Sequence, residues 1–67
     1  MFINTERIIS IVKGKIDDKT PIAINLDNVV SFEPRYTGET TRVYMLNDSV
    51  IDINEPYDKF VNFLKRC

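Results

Sequence analysis

Apolar and polar residues alternate along most of the chain and change period only near its end. Five short segments rich in β-branched and aromatic residues lie between turn-forming residues, which is the pattern expected of strands. The predicted strands are residues 6–13, 21–26, 29–35, 40–46 and 49–53. This order predicts a curled antiparallel sheet of about five short strands.

The last segment has the period of an amphipathic helix. Four residues stand at i, i+3, i+4 and i+7, namely Tyr57, Phe60, Val61 and Leu64. Asn54 is a predicted N-cap, because its side chain can accept a hydrogen bond from the first turn. Phe63 falls beside the apolar stripe, where it would flank the packed face or contact a partner. The sequence therefore predicts an α+β fold, with one C-terminal helix closing the sheet in a single domain, residues 1–67.

The turn lengths predict which side chains share a face of the sheet. A two-residue turn at Asn47-Asp48, with a three- or five-residue loop around Gly38, places one apolar set under the helix. That set is Val30, Phe32, Tyr44, Leu46, Ile51 and Ile53. The opposite face then carries an apolar strip, which consists of Val43, Met45 and Val50. Since a solvated sheet face is mostly polar, this strip is either covered by the N-terminal strand or forms an interface, and we favour the interface.

Composition removes several classes of function. The 9 basic and 10 acidic residues give a net charge of −1, so the basic footprint of a nucleic-acid binding protein is absent. The chain contains no histidine, one cysteine and two glycines, which excludes histidine-based catalysis, the usual zinc sites and glycine-rich phosphate loops. We predict a protein that is not an enzyme and needs no metal or cofactor.

Targeting signals are missing from the start of the chain. The first residues have neither a basic segment nor the long apolar run of a signal peptide, and no apolar run approaches the roughly 20 residues of a membrane span. The only cysteine, Cys67, is expected to be a free thiol without a function. These features predict a cytoplasmic protein with no membrane partner.

One loop combines groups that can bind an anion. Arg35 and Arg42 flank the turn that contains Tyr36, and guanidinium groups suit phosphate or carboxylate recognition. These arginines can equally be solvated, or paired with Glu33 or Glu39. The predicted register points the two arginines to opposite faces, so they would converge only at the twisted end of the hairpin or across a subunit boundary.

Three stretches of the chain resemble a known family. They are Asn-Leu-Asp-Asn-Val-Val-Ser-Phe-Glu-Pro at 25–34, Thr-Thr-Arg-Val-Tyr-Met-Leu-Asn-Asp at 40–48 and Glu-Pro-Tyr-Asp-Lys-Phe at 55–60. Together, over about residues 25–64, they resemble the small flagellar FlbD/SwrD-type family and related uncharacterised phage and bacterial proteins. Asp48 stands where the family pattern has the hairpin glycine.

The resemblance implies a compact accessory protein that acts by binding. Our first hypothesis is a phage-like homo-oligomer in the host cytoplasm, which sequesters a small anionic or nucleotide-type ligand at subunit boundaries. The residues expected to hold that ligand are Arg35, Tyr36 and Arg42. The alternative is a regulatory protein–protein adaptor, similar to the flagellar family, that uses the apolar strip.

Overall fold

The computed structural model describes residues 1–65, and the predicted free thiol of Cys67 lies outside them. The predicted α+β class is confirmed: a five-stranded antiparallel sheet is followed by one C-terminal α-helix. The elements are β1 (Phe2–Val12), β2 (Lys15–Asn25), β3 (Val29–Arg35), β4 (Thr40–Met45), β5 (Val50–Ile53) and α1 (Tyr57–Lys65). A short 3-10 turn, Leu26–Asn28, precedes β3, and a turn with positive φ angles, Tyr36–Gly38, follows it.

The strands lie in the order β2-β1-β5-β4-β3. A long β1–β2 hairpin therefore forms one side of the sheet, and it joins the rest where Arg7 lies opposite Ile53. Its turn consists of Lys13 and Gly14, with φ angles of 53° and 77°. Positive φ at both positions matches the right-handed twist of the flanking strands, so this two-residue turn extends the hairpin beyond the predicted strand limits.

The helix packs on one face of the sheet, which we call the inner face. Phe60 is completely buried, and its ring centroid lies 4.9 Å from that of Phe32 on β3. The predicted apolar stripe is confirmed at Phe60 and Leu64, which pack in the core, whereas the predicted N-cap is wrong. The helix begins at Tyr57, and the Asn54 side chain instead donates a hydrogen bond of 3.0 Å to Glu6 on β1. No helix in residues 1–65 is long and apolar enough to cross a membrane.

The core lies between the helix and the inner face. Its buried cluster consists of Ile24, Leu26, Val43, Ile53 and Phe60. Further apolar side chains pack around it while keeping partial contact with solvent, including Phe32, Met45, Ile51, Phe63 and Leu64. Side chains from β2, from β4 and β5, and from the helix therefore meet in one cluster.

The predicted β4–β5 register is wrong by one residue. Asp48 has φ 66°, and the loop holds three residues, 46–48, because the Met45 N–H donates to the Ser49 carbonyl at 2.9 Å. A three-residue hairpin loop commonly ends in such a left-handed residue. Tyr44 consequently lies opposite Val50 and not Ile51.

The β3–β4 connection also differs from the predicted length. Arg35 lies opposite Thr40, which leaves four residues in the loop where three or five were expected. A change of one residue exchanges the two faces of a strand. Both hairpins therefore place Val43, and not Tyr44, on the inner face.

The corrected register moves the predicted interface. Val43 is completely buried and Met45 packs against the core, so these two residues cannot form an apolar strip on the opposite face. Of the predicted inner set, Phe32, Ile51 and Ile53 are confirmed. The other three residues of that set face away from the helix or are exposed, namely Val30, Tyr44 and Leu46.

Candidate binding surfaces on the outer sheet face

The face of β3–β5 turned away from the helix is called the outer face here, and a bidentate ion pair lies at its centre. Arg42 donates to Asp52 through Nε at 2.8 Å and through an Nη nitrogen at 3.2 Å. These hydrogen bonds, together with the carboxylate charge, raise the pKa of Arg42 above its ordinary value. An incoming anion would have to displace Asp52, so Arg42 is poorly suited to the ligand role predicted for it.

A second polar contact lies beside this pair. The Tyr44 hydroxyl donates a 2.8 Å hydrogen bond to Glu33 on the neighbouring strand. Donation to this carboxylate favours the protonated phenol, which raises the pKa of Tyr44. The middle of the outer face is therefore polar, but its main charges are satisfied within the chain.

An apolar patch occupies the end of the outer face beyond Tyr44. We call it the outer patch, and it consists of Val30, Leu46 and Val50, which are 61%, 66% and 47% exposed. The register sets Val50 opposite Tyr44. The Leu46 N–H donates to the Asn28 carbonyl at 2.8 Å, which holds Leu46 beside the start of β3. Of the predicted interface residues, only Val50 belongs to this patch.

Arg35 lies at the other end of the outer face. It pairs with Thr40 while Arg42 pairs with Glu33, so both arginines share one face, contrary to the prediction. Residues in such diagonal positions are about 7–8 Å apart. The Arg35 guanidinium lies 5.8 Å from the centroid of the Tyr36 ring, and Arg35 forms no ion pair with any residue in the range 1–65.

The β3–β4 turn has an unusual backbone. Tyr36, Thr37 and Gly38 have φ angles of 50°, 59° and 86°. The left-handed region disfavours L-residues, particularly a β-branched one such as Thr37. The turn is held by a 2.6 Å hydrogen bond from the Thr37 hydroxyl to the Tyr36 carbonyl, which also accepts one from the Glu39 N–H. Strain of this kind concentrates at functional sites.

Two clefts flank this strained turn. The first, of about 300 Å³, lies between the turn and the end of the β1–β2 hairpin. Its walls include Ile11, Lys15, Ile16, Tyr36, Glu39 and Thr40. The second, of about 390 Å³, lies between the turn and the start of the helix, beside Tyr57 and Asp58. Tyr36 is half-exposed in the first cleft, and Thr37 lines the second.

The remaining polar contacts join the hairpins and the helix. Glu55 accepts a 2.6 Å hydrogen bond from Thr5 and lies 3.2 Å from Lys59. Two hydrogen bonds lower the pKa of Glu6, and the one from Asn54 has a larger effect than the one from Lys19. No group of three acidic or cysteine side chains that could hold a metal occurs within the described range. We assign these contacts to stability.

No family model, curated protein or solved structure matches this chain. The resemblance to the FlbD/SwrD-type family therefore stays a prediction, as do the phage-like and flagellar roles that it implies.

Proposed function

We propose that the protein is a non-enzymatic binding protein that forms a homo-oligomer through its outer face, with the outer patch at the contact. The non-enzymatic part rests on composition, since a chain without histidine lacks the commonest general acid and base. The oligomeric part rests on the outer patch.

One observation carries the proposal: apolar side chains are clustered on a sheet face that no other element covers. In residues 1–65, six hydrophobic residues are buried, whereas nine large hydrophobic residues are exposed. Single exposed apolar side chains are normal, but contiguous patches commonly mark interaction sites. Val30, Leu46 and Val50 form such a patch around Tyr44.

A second copy of the chain suits this face electrostatically. The net charge of the chain is only −1, so two copies repel each other weakly. The Arg42–Asp52 pair beside the patch is already neutral as a unit. Covering this pair therefore buries no isolated charge, while the exposed Glu33 carboxylate, which accepts the Tyr44 hydrogen bond, has to stay hydrated at the rim of the contact.

The expected affinity is modest. Covering three side chains that are about half to two-thirds exposed contributes roughly 1–2 kcal/mol each, or about 6–12 kcal/mol over two copies. Association itself costs about 4–15 kcal/mol. We therefore expect a dissociation constant in the micromolar range or weaker, and a monomer at high dilution.

Sedimentation equilibrium across a concentration series tests this proposal. The wild type should exceed 7.8 kDa at the higher concentrations, and Leu46→Glu and Val50→Glu should each remain monomeric. Val12→Glu is the matched control, because Val12 is also about half-exposed but lies in the β1–β2 hairpin. Circular dichroism should show that all variants stay folded.

Two results would overturn the proposal. The first is a wild type that stays at 7.8 kDa over the whole series, which would favour the alternative of an adaptor for another protein. The second is an oligomer that both outer-patch variants leave intact, which would place the contact on a different surface.

A further inference from the structure

The structure assigns a second binding site to the cleft between the β1–β2 hairpin and the β3–β4 turn, and we propose that it takes a small aromatic anion of the nucleoside monophosphate type. The cleft is built within one copy of the chain. The inference is therefore independent of self-association, and the two ideas can fail separately.

The shape of the cleft limits the ligand. Its volume of about 300 Å³ is at the small end of the range of about 300–1,000 Å³ that is typical of ligand pockets. Ile11 and Ile16 supply apolar walls from the hairpin, and Tyr36 supplies a ring that is 49% exposed. These walls suit a single flat ring, since an exposed aromatic side chain is a platform for base stacking.

The charges around the cleft favour an anion. Lys15 and Glu39 both line it, and their charges offset each other. Arg35 does not line the cleft, but its guanidinium lies 5.8 Å from the centroid of the Tyr36 ring and forms no ion pair with the described residues. Arg35 thus leaves about one unpaired positive charge beside the cleft, which favours an anionic ligand over a neutral or cationic one.

The strained turn supplies a separate reason to place recognition here. Tyr36 and Thr37 both adopt positive φ, at 50° and 59°, although glycine would fit either position without this strain. Tyr36, with this left-handed backbone, is also the residue whose ring lines the cleft. A costly conformation that presents an exposed aromatic ring is typical of a binding site.

NMR titration of the isotope-labelled protein with AMP locates this site directly. Amide shifts should concentrate at Lys15, Tyr36 and Thr40, with a dissociation constant between about 10 µM and 1 mM. Adenosine lacks the phosphate and therefore tests the contribution of the acidic group. Ribose 5-phosphate and inorganic phosphate lack the base and therefore test the contribution of the aromatic ring. Each of these three probes should bind at least about 10-fold more weakly than AMP.

Matched variants distinguish a loss of binding caused by removal of the Tyr36 ring from one caused by a change in the fold. Tyr36→Asn removes the ring but keeps a residue that tolerates positive φ, and it should weaken AMP binding by about 5- to 150-fold. Tyr36→Phe should retain binding, because the stacking surface remains. Lys15→Gln should weaken binding, whereas Lys65→Gln on the helix should not.

Leu46→Glu, which should disrupt the oligomer, tests whether AMP binding is independent of self-association. This variant should bind AMP as the wild type does, since residue 46 lies outside the cleft. The inference is overturned if AMP causes no shifts at the cleft up to about 5 mM, well above the expected range. It is also overturned if Tyr36→Asn and Lys15→Gln bind AMP as tightly as the wild type.

Discussion

Replacement of Phe60 by alanine should unfold the chain or leave only a minor folded population at room temperature. Phe60 is completely buried between the helix and the inner face. Its ring lies 4.9 Å from Phe32 at an interplanar angle of 67°, and 6.4 Å from Phe63 at 87°. Both arrangements are the edge-to-face type that stabilises aromatic pairs.

The expected loss follows from these contacts. Truncation of a buried phenylalanine to alanine costs about 3–5 kcal/mol, and the two ring pairs put Phe60 in the upper part of that range. A domain of this size rarely has more than about 3–5 kcal/mol of stability. The loss therefore matches the whole stability of the fold.

Urea denaturation followed by circular dichroism measures the effect. Phe60→Leu keeps most of the volume and should stay folded, with a loss of about 1–2 kcal/mol, which in a thermal melt corresponds to a melting temperature about 4–16 °C lower. Phe63→Ala is the control at a partly buried position and should be clearly milder than Phe60→Ala. A cooperative transition for Phe60→Ala close to that of the wild type would refute this account of the core.

Two further predictions concern a side-chain charge and a turn. Glu6 has a pKa below its ordinary value of 4.5 because Asn54 and Lys19 bind its carboxylate, so its stabilising effect is present above pH 4.5 and is lost as the pH falls through the lowered pKa. Glu6→Gln should thus lower the melting temperature at neutral pH, and the difference from the wild type should vanish in acid; a difference independent of pH would contradict this. Asp48→Gly should stabilise the fold by about 0.5–1 kcal/mol, because residue 48 has φ 66°, which glycine adopts without strain. Asp48→Val should destabilise the fold for the same reason. Changes of the opposite sign in thermal melts would show that the loop is not under strain.

The helix and the class of the fold could be predicted from the sequence because each depends on a local pattern. The stripe that contains Phe60 and Leu64 has one period and one packed face, so a small error at either end leaves the packing unchanged. The error at Asn54 shows this: the helix begins at Tyr57, and the same stripe still faces the core. The presence of the strands could also be predicted from a local pattern, since β-branched residues between turn-forming residues are sufficient to indicate a strand.

The strand faces could not be predicted in the same way, because they depend on loop geometry. Asp48 can serve in a two-residue turn or as the left-handed third residue of a longer loop, and the sequence alone does not separate the two. The choice matters because a strand has a period of two. The one-residue difference moved Val43 into the core and Leu46 into solvent.

The same one-residue difference also changes the chemistry of the outer face. In the predicted register Asp52 lies opposite Val43, so that register does not predict a pairing of Arg42 with Asp52. In the structure Asp52 lies opposite Arg42, and the directly paired side chains form the bidentate contact. The cleft, in turn, is lined by both Lys15 and Tyr36, which are far apart in the sequence, and no local pattern encodes their proximity. Arg42, which the sequence indicated as a ligand residue, is thus neutralised by its pairing with Asp52. The proposed ligand site instead lies in the cleft, whose residues are brought together only by the fold.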